Sequence, residues 1–107
     1  MVTIMITSWV PYGKEKKAAN MYNETSIKFP ENKSFEKVVL QLATRSTKEG
    51  FKVISIVEVK KGKFEESLDR LNRLMLAFTD IEGFKFEIET FQSAIDAIWL
   101  YLDDSVI

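Results

Sequence analysis

Hydrophobic and polar residues alternate along four short runs of the chain, a period of two that is typical of half-buried β-strands. The four runs are residues 2–10, 37–45, 51–59 and 84–91. Pro11 ends the first run, because proline has no backbone N–H to donate to a neighbouring strand. Residues 46–50 separate the second and third runs and include a glycine, which favours a hairpin loop. The pattern predicts four strands, with the second and third joined as a hairpin.

Three other segments have the spacing of helices. The first, residues 14–24, places four residues on one face: Ala18, Met21, Tyr22 and Thr25. A polar linker over residues 26–33 follows it, with Pro30 as a helix breaker. The second helix has the broadest apolar stripe: Phe64, Leu68, Leu71, Leu74, Met75 and Phe78. Ser93 is an expected N-cap for a last helix that contains Ile95, Ile98, Trp99 and Leu102.

The order strand, helix, strand, strand, helix, strand predicts an α+β fold, the ferredoxin-like β-α-β-β-α-β sandwich. Its four-stranded antiparallel sheet has the strand order 4-1-3-2, and the last helix is an extra element at the C-terminus. The first and third strands are the most continuously apolar, as central strands should be, whereas the fourth carries Lys85, Glu87 and Glu89. At 107 residues, the chain is expected to form one domain over residues 1–107.

The two faces of the sheet are expected to differ. The helix-facing set is almost wholly apolar: Val2, Ile4, Ile6, Val38, Leu40, Leu42, Ile54, Ile56, Phe84, Phe86 and Ile88. The opposite set is mixed: Thr3, Met5, Thr7, Trp9, Val39, Gln41, Ala43, Arg45, Val53, Ser55, Val57, Lys85, Glu87, Glu89 and Phe91. The second set is too apolar at its centre to be left in water, so we expect a second copy of the chain to cover it. A one-residue slip of the third strand would exchange its two faces, which leaves the position of Glu58 open.

Composition excludes many kinds of chemistry. The chain contains no cysteine and no histidine, which removes disulfides, thiolate nucleophiles, Ser-His-Asp triads and nearly all transition-metal sites. No metal site and no cofactor are therefore expected. The net charge is -1, and the sequence lacks the basic patch that nucleic acids or anionic membranes require, so neither is an expected partner. Without a signal sequence or a long apolar segment, the protein is expected in the cytoplasm.

Several local patterns together resemble the dimeric α+β barrel superfamily. They are an aromatic residue before Pro11-Tyr12-Gly13, the strand Val57-Glu58-Val59 leading into a helix with Leu68 and Leu71, and the strand 84–88 followed by 92–95. Within the superfamily, the chain is most similar to small families related to antibiotic-biosynthesis monooxygenases and stress-responsive barrel domains. The resemblance implies a homodimer or a higher oligomer of dimers. Some members are cofactor-free oxygenases and others bind small ligands; haem-degrading members use a histidine ligand that this chain lacks.

Seven residues are candidates for a ligand site in the cleft between two sheet faces: Thr7, Trp9, Tyr12, Gln41, Arg45, Ser55 and Glu87. Trp9 could stack on a flat ligand or anchor the edge of the dimer. Arg45 with Glu87 or Glu89 could recognise a carboxylate or form a salt bridge between subunits.

Three functions follow from this interpretation. The favoured one is a homodimer that binds a small, partly apolar ligand. An alternative is a cofactor-independent oxygenase that acts on a small aromatic substrate, with Trp9, Gln41 and Arg45 as positioning groups. The third is a structural or regulatory assembly unit without a ligand. The lack of His and Cys favours the first, and whether the protein is an enzyme stays open.

Overall fold

The chain forms a four-stranded antiparallel sheet with two long helices, as expected from the order of its elements. The computed structural model describes residues 2–93 together with Ile98 and Leu102. The elements are β1 (Val2–Val10), α1 (Glu15–Lys28), β2 (Glu36–Thr47), β3 (Gly50–Val59), α2 (Phe64–Ala77), a 3-10 turn (Phe78–Asp80) and β4 (Lys85–Gln92). The strand order is β2-β3-β1-β4, which confirms the predicted order read from the other edge. The α+β class is therefore confirmed.

The ends of some elements differ from the prediction. Helix α1 continues to Lys28 through residues that were predicted to be linker. The next residue, Phe29, has an extended φ of -127° because Pro30 disfavours helical geometry in the residue before it. Strand β2 reaches Thr47, so only Lys48 and Glu49 separate it from β3. The hairpin is therefore longer and its turn tighter than the sequence pattern suggested.

The predicted C-terminal helix is described in part. Ile98 and Leu102 are helical, and both side chains are exposed. Ile95 and Trp99, which were assigned to the same helix, lie outside the described residues.

The core lies between the helices and one face of the sheet. Its buried members on β1 are Ile4, Ile6 and Val10, as the alternation predicts. The stripe of α2 packs on them, with Leu71 and Met75 buried against Ile4. The 3-10 turn adds Phe78 and Ile81 near Val10, where Phe78 stacks on Phe84 at 5.2 Å between ring centres.

The predicted register of β3 was wrong by one residue. Ile4 pairs with Val57 and Met5 pairs with Ile56, so Val57 shares the helix-facing side and Ile56 the opposite side. Ile54 lies opposite Thr7, on the same side as Ile56. The sequence could not decide this, because both alternating sets of β3 are apolar. The register also places Glu58 on the side away from the helices, opposite Thr3.

Strand β2 is irregular, which reverses the predicted side of Leu40. Its register with β3 shifts between Val38 and Leu40 and again between Leu40 and Ala43. Each shift inserts unpaired backbone, as β-bulges do. Leu40 consequently pairs with Ile56 on the side away from the helices, although it was predicted to face them. Leu42 takes a φ of 55°, a left-handed geometry that is uncommon for a bulky residue.

A buried charge cluster joins α2, the start of β2 and the end of α1. Glu36 is 1% exposed and forms an ion pair with the Arg70 guanidinium. The hydroxyl of the fully buried Ser67 donates a hydrogen bond to the second carboxylate oxygen of Glu36. Arg70 also donates from Nη1 to the carbonyl of Phe29 at 3.2 Å, just beyond α1. The carboxylate of Glu36 thus joins β2 to α2, and Arg70 extends the cluster to the end of α1.

Replacing Glu36 by glutamine is expected to lower the free energy of unfolding by about 3 kcal/mol, because Arg70 then loses its counter-charge in a buried site. Denaturation in urea measures the loss. The matched control is Asp69→Asn, which removes the same charge from the exposed pair with Arg73. That change should cost only about 0.3–0.5 kcal/mol. Equal losses in the two variants would contradict the role given to the buried cluster.

A side chain at Gly50 is expected to destabilise the fold more than one at Gly62. A Cβ atom there would lie 2.3 Å from the carbonyl oxygen of Val10, whereas at Gly62 it would meet nothing within 4 Å. Both glycines have positive φ, so either alanine substitution adds backbone strain of about 1 kcal/mol. Gly50→Ala should cost about 2 kcal/mol more than Gly62→Ala, because backbone atoms must move apart. Thermal or urea unfolding of the two variants tests this, and equal stabilities would disprove it.

Candidate functional site

A cavity of about 510 Å³ lies between the helices and the sheet, on the side of β2 and β3. Most of its lining is apolar, with contributions from both helices, three strands and the segment after α1. Typical apolar lining residues are Val53, Val57, Leu71, Leu74 and Phe78. The volume falls within the range of sites that hold small molecules, roughly 300–1,000 Å³.

The space exists because α1 does not fill it. Only Ala18 and Thr25 of this helix are buried, whereas α2 buries Leu71 and Met75. Ala18 and its neighbour Ala19 both line the cavity, and neither side chain is long enough to reach across to the sheet. Since a helix is held away from a sheet by its largest side chains, short ones leave a gap beneath it. The gap lies over Val53 and Ser55 of β3.

Hydroxyl and amide groups meet at one side of the cavity. The side-chain amide of Gln41 donates a hydrogen bond to the hydroxyl of Tyr22, which links β2 to α1. Next to it, the backbone N–H of Leu42 donates to the hydroxyl of Ser55 at 3.1 Å. Ser8, which is buried on β1, also lines the cavity. The bulges of β2 bring Gln41 here, because a regular strand would have turned it away from the helices.

Arg70 lines the cavity from α2. Its Nη1 and Nη2 groups contact Phe29 and Glu36, while its buried Nε–H has no hydrogen-bond partner among the described residues. A buried N–H without a partner carries a free-energy cost, which an acceptor in the cavity would remove.

Glu15 lies at the rim of the cavity, exposed to solvent. The backbone N–H of Gly13 donates to its Oε1 at 2.9 Å. This bond stabilises the charged form and holds the pKa of the Glu15 carboxyl below its usual value. Glu15 is therefore negatively charged at neutral pH, as a fixed charge beside the entrance.

The structure separates the predicted site residues into two groups. Gln41 and Ser55 lie in the cavity on the helix side, so the prediction that they face the open side of the sheet was wrong. The reasons are the bulges of β2 for Gln41 and the register of β3 for Ser55. Thr7, Trp9, Arg45 and Glu87 lie on the opposite side, as predicted.

Arg45 and Glu87 do not meet within one chain. Arg45 is on the edge strand β2 and Glu87 is on the other edge, with β3 and β1 between them. Three strand spacings separate them by about 14 Å. An ion pair between these residues would need two copies of the chain.

Tyr12 lies apart from both groups. Its hydroxyl donates to the carbonyl of Thr47 at 2.7 Å, and its ring meets Phe51 edge-on at 4.9 Å. Tyr12 therefore attaches the β1–α1 turn to the β2–β3 hairpin, and it does not line the cavity.

The open face of the sheet has an apolar centre and charged ends. Met5, Ile54 and Ile56 are half-buried at its centre, and Leu40 extends this centre to the edge at 39% exposure. At one end, Trp9 lies between lysines on the two neighbouring strands.

Sequence reasoning missed the importance of Ser8 and Arg70, and for Tyr22 it favoured core packing over a place at the mouth of a pocket. Tyr22 does pack against the core, and its hydroxyl also takes part in the polar side of the cavity. The available signal for Arg70 was its position in α2, three residues after Ser67 and next to the apolar stripe. A charge beside such a stripe is a candidate for a buried pair.

The described part of the chain lacks two structural features. Within residues 2–93 and the two described helical residues, no group of acidic side chains could hold a metal ion. No helix in that same part is both long and apolar enough to cross a membrane.

Solved structures resemble this fold at low sequence identity. A de novo designed protein, Foldit4, aligns with a TM-score of 0.57 and 15% identity, covering 86% of this chain and 97% of its own. A structural-genomics protein from Agrobacterium tumefaciens aligns with a TM-score of 0.50 and 14% identity, covering 88% and 94%. An uncharacterized NIPSNAP domain protein from Burkholderia xenovorans has a TM-score of 0.46 at 12% identity, covering 88% and 95%. No protein-family model and no curated protein matches the chain. The first two likenesses support the fold alone.

Proposed function

We propose that this protein binds a small, partly apolar molecule in the cavity between its helices and its sheet. The observation that carries the proposal is the composition of that cavity. It has a volume of about 510 Å³ and a mostly apolar lining, with a few polar groups concentrated at one side. Sites for small molecules are built in this way, since apolar walls supply affinity and a few polar groups fix orientation. The sequence pattern predicted a ligand site in a cleft between two sheet faces. The proposed site is instead this cavity, which lies within one chain.

The second part of the proposal is a homodimer formed through the open face of the sheet. Met5, Ile54 and Ile56 form a continuous apolar centre there, flanked by charged residues on the outer strands. Face-to-face packing of two such sheets would bury the centre and leave the charges at the margin. This arrangement would place the chain with the dimeric α+β barrels.

The oxygenase alternative has less support. Gln41 lines the cavity, whereas Trp9 and Arg45 lie on the other side of the sheet, so these three residues cannot position one substrate within a subunit. No other observation favours it.

Blocking the cavity tests ligand binding. Ala19→Trp places an indole at the lining of α1, whereas Asn20→Trp places the same group on the same helix outside the lining. The uncharged dye Nile red should bind the wild type and Asn20→Trp with increased fluorescence. Its affinity for Ala19→Trp should fall at least tenfold, because the indole occupies the space. Absence of Nile red binding to the wild type, or equal binding to both variants, would refute the proposal.

A charge at the centre of the open face tests the dimer. The wild type should sediment as a dimer at micromolar concentration, and Ile56→Arg should sediment as a monomer, because an unpaired charge cannot be buried at the interface. The control is Leu76→Arg, which changes an exposed apolar residue of α2. Analytical ultracentrifugation of the three proteins decides the question. A monomeric wild type would contradict the dimer while leaving the cavity proposal intact.

A further inference from the structure

The polar groups of the cavity have hydrogens left to donate. The hydroxyl of Tyr22 accepts a bond from Gln41, and that of Ser55 accepts one from Leu42, so each hydroxyl hydrogen remains available. The amide of Gln41 has a second N–H, and the buried Nε–H of Arg70 has no partner among the described residues. Three of these donors are grouped around Gln41 and Leu42, which are consecutive residues of β2, and Arg70 adds one from α2.

The charges around the cavity disfavour an anion. Among its lining residues, Glu15, Glu31 and Arg70 carry formal charge, and the positive charge of Arg70 is already matched by Glu36. A carboxylate entering this space would lose its water and find no free cation. Burying a charge without a partner is costly, so an anionic ligand loses affinity.

A buried cation also lacks a counter-charge in this cavity. The hydroxyls of Tyr22 and Ser55 could accept from an ammonium group, but the two carboxylates of the lining, Glu15 and Glu31, are exposed to solvent, so the charge would be buried without an ion pair. An oxygen that carries no charge, such as that of an ester or a ketone, accepts hydrogen bonds and needs no counter-ion.

We propose that the cavity selects uncharged apolar molecules that carry an acceptor oxygen, and that the hydroxyls of Tyr22 and Ser55 bind this oxygen. The inference rests on the proposed binding function and specifies the chemical class of its ligand. Selection among molecules of similar length then depends on the head group.

Four compounds of similar length test the selection: methyl octanoate, octanoate, octylamine and nonane. Titrations of the ¹⁵N-labelled protein at pH 7.5, followed by amide chemical shifts, give each dissociation constant and the location of binding. Methyl octanoate should bind at least tenfold more tightly than octanoate or octylamine, and it should also bind more tightly than nonane. The shifts should concentrate on α1, β2 and β3.

Tyrosine variants separate hydrogen bonding from simple partitioning into an apolar space. Tyr22→Phe should weaken methyl octanoate about fivefold, as the loss of one hydrogen bond predicts, and leave nonane unchanged. Tyr12→Phe is the matched control, because its hydroxyl donates to Thr47 outside the cavity. It should change neither affinity. Ser55→Ala removes the second hydroxyl, and it should likewise weaken the binding of methyl octanoate and leave that of nonane unchanged.

The outcomes separate the inference from the proposal beneath it. Tight binding of octanoate or octylamine, or equal effects of Tyr22→Phe on the ester and on nonane, would overturn the inference while the cavity remains a binding site. If no compound binds and Nile red also fails to bind, the proposed function itself is refuted.

Discussion

The ion pair between Glu36 and Arg70 is the constraint on which the arrangement of the helices depends. A carboxylate that is 1% exposed must have partners, and both of those it finds, Arg70 and Ser67, are on α2. Arg70 in turn donates to the carbonyl of Phe29, just beyond α1. Apolar packing alone would hold α2, whose stripe is broad, but it gives α1 only Ala18 and Thr25 to bury. The polar contact at Phe29 therefore contributes to holding α1 over the sheet although its small residues leave a cavity beneath it.

The irregular edge strand supplies the polar groups of the cavity. Strand β2 lies at the edge of the sheet, where only β3 pairs with it, so a bulge costs fewer hydrogen bonds there than in a central strand. The bulges turn Gln41 towards Tyr22 and bring the backbone of Leu42 to Ser55. An edge that would otherwise present regular unpaired backbone thus supplies the polar side of a pocket.

The fold followed from the sequence because it depends on the order of elements, and alternation and helical spacing report that order directly. The site did not follow, for identifiable reasons. The alternating sets of β3 are both apolar, so its register had to come from the neighbouring strands. The bulges that reposition Gln41 leave no mark that a single sequence reveals. The partnership of Glu36 with Arg70 joins residues far apart in the chain, and only the folded topology brings them together.

The strand order also has a consequence for the order in which the molecule can assemble. Strand β1 is made first, yet its neighbours are β3 and β4, which end at residues 59 and 92. The β2–β3 hairpin closes over a turn of two residues and can form early, whereas β1 pairs with β4 across most of the chain. During synthesis, β1 therefore has no partner strand until residue 59 has emerged, and its other edge stays unpaired until β4 is complete at residue 92.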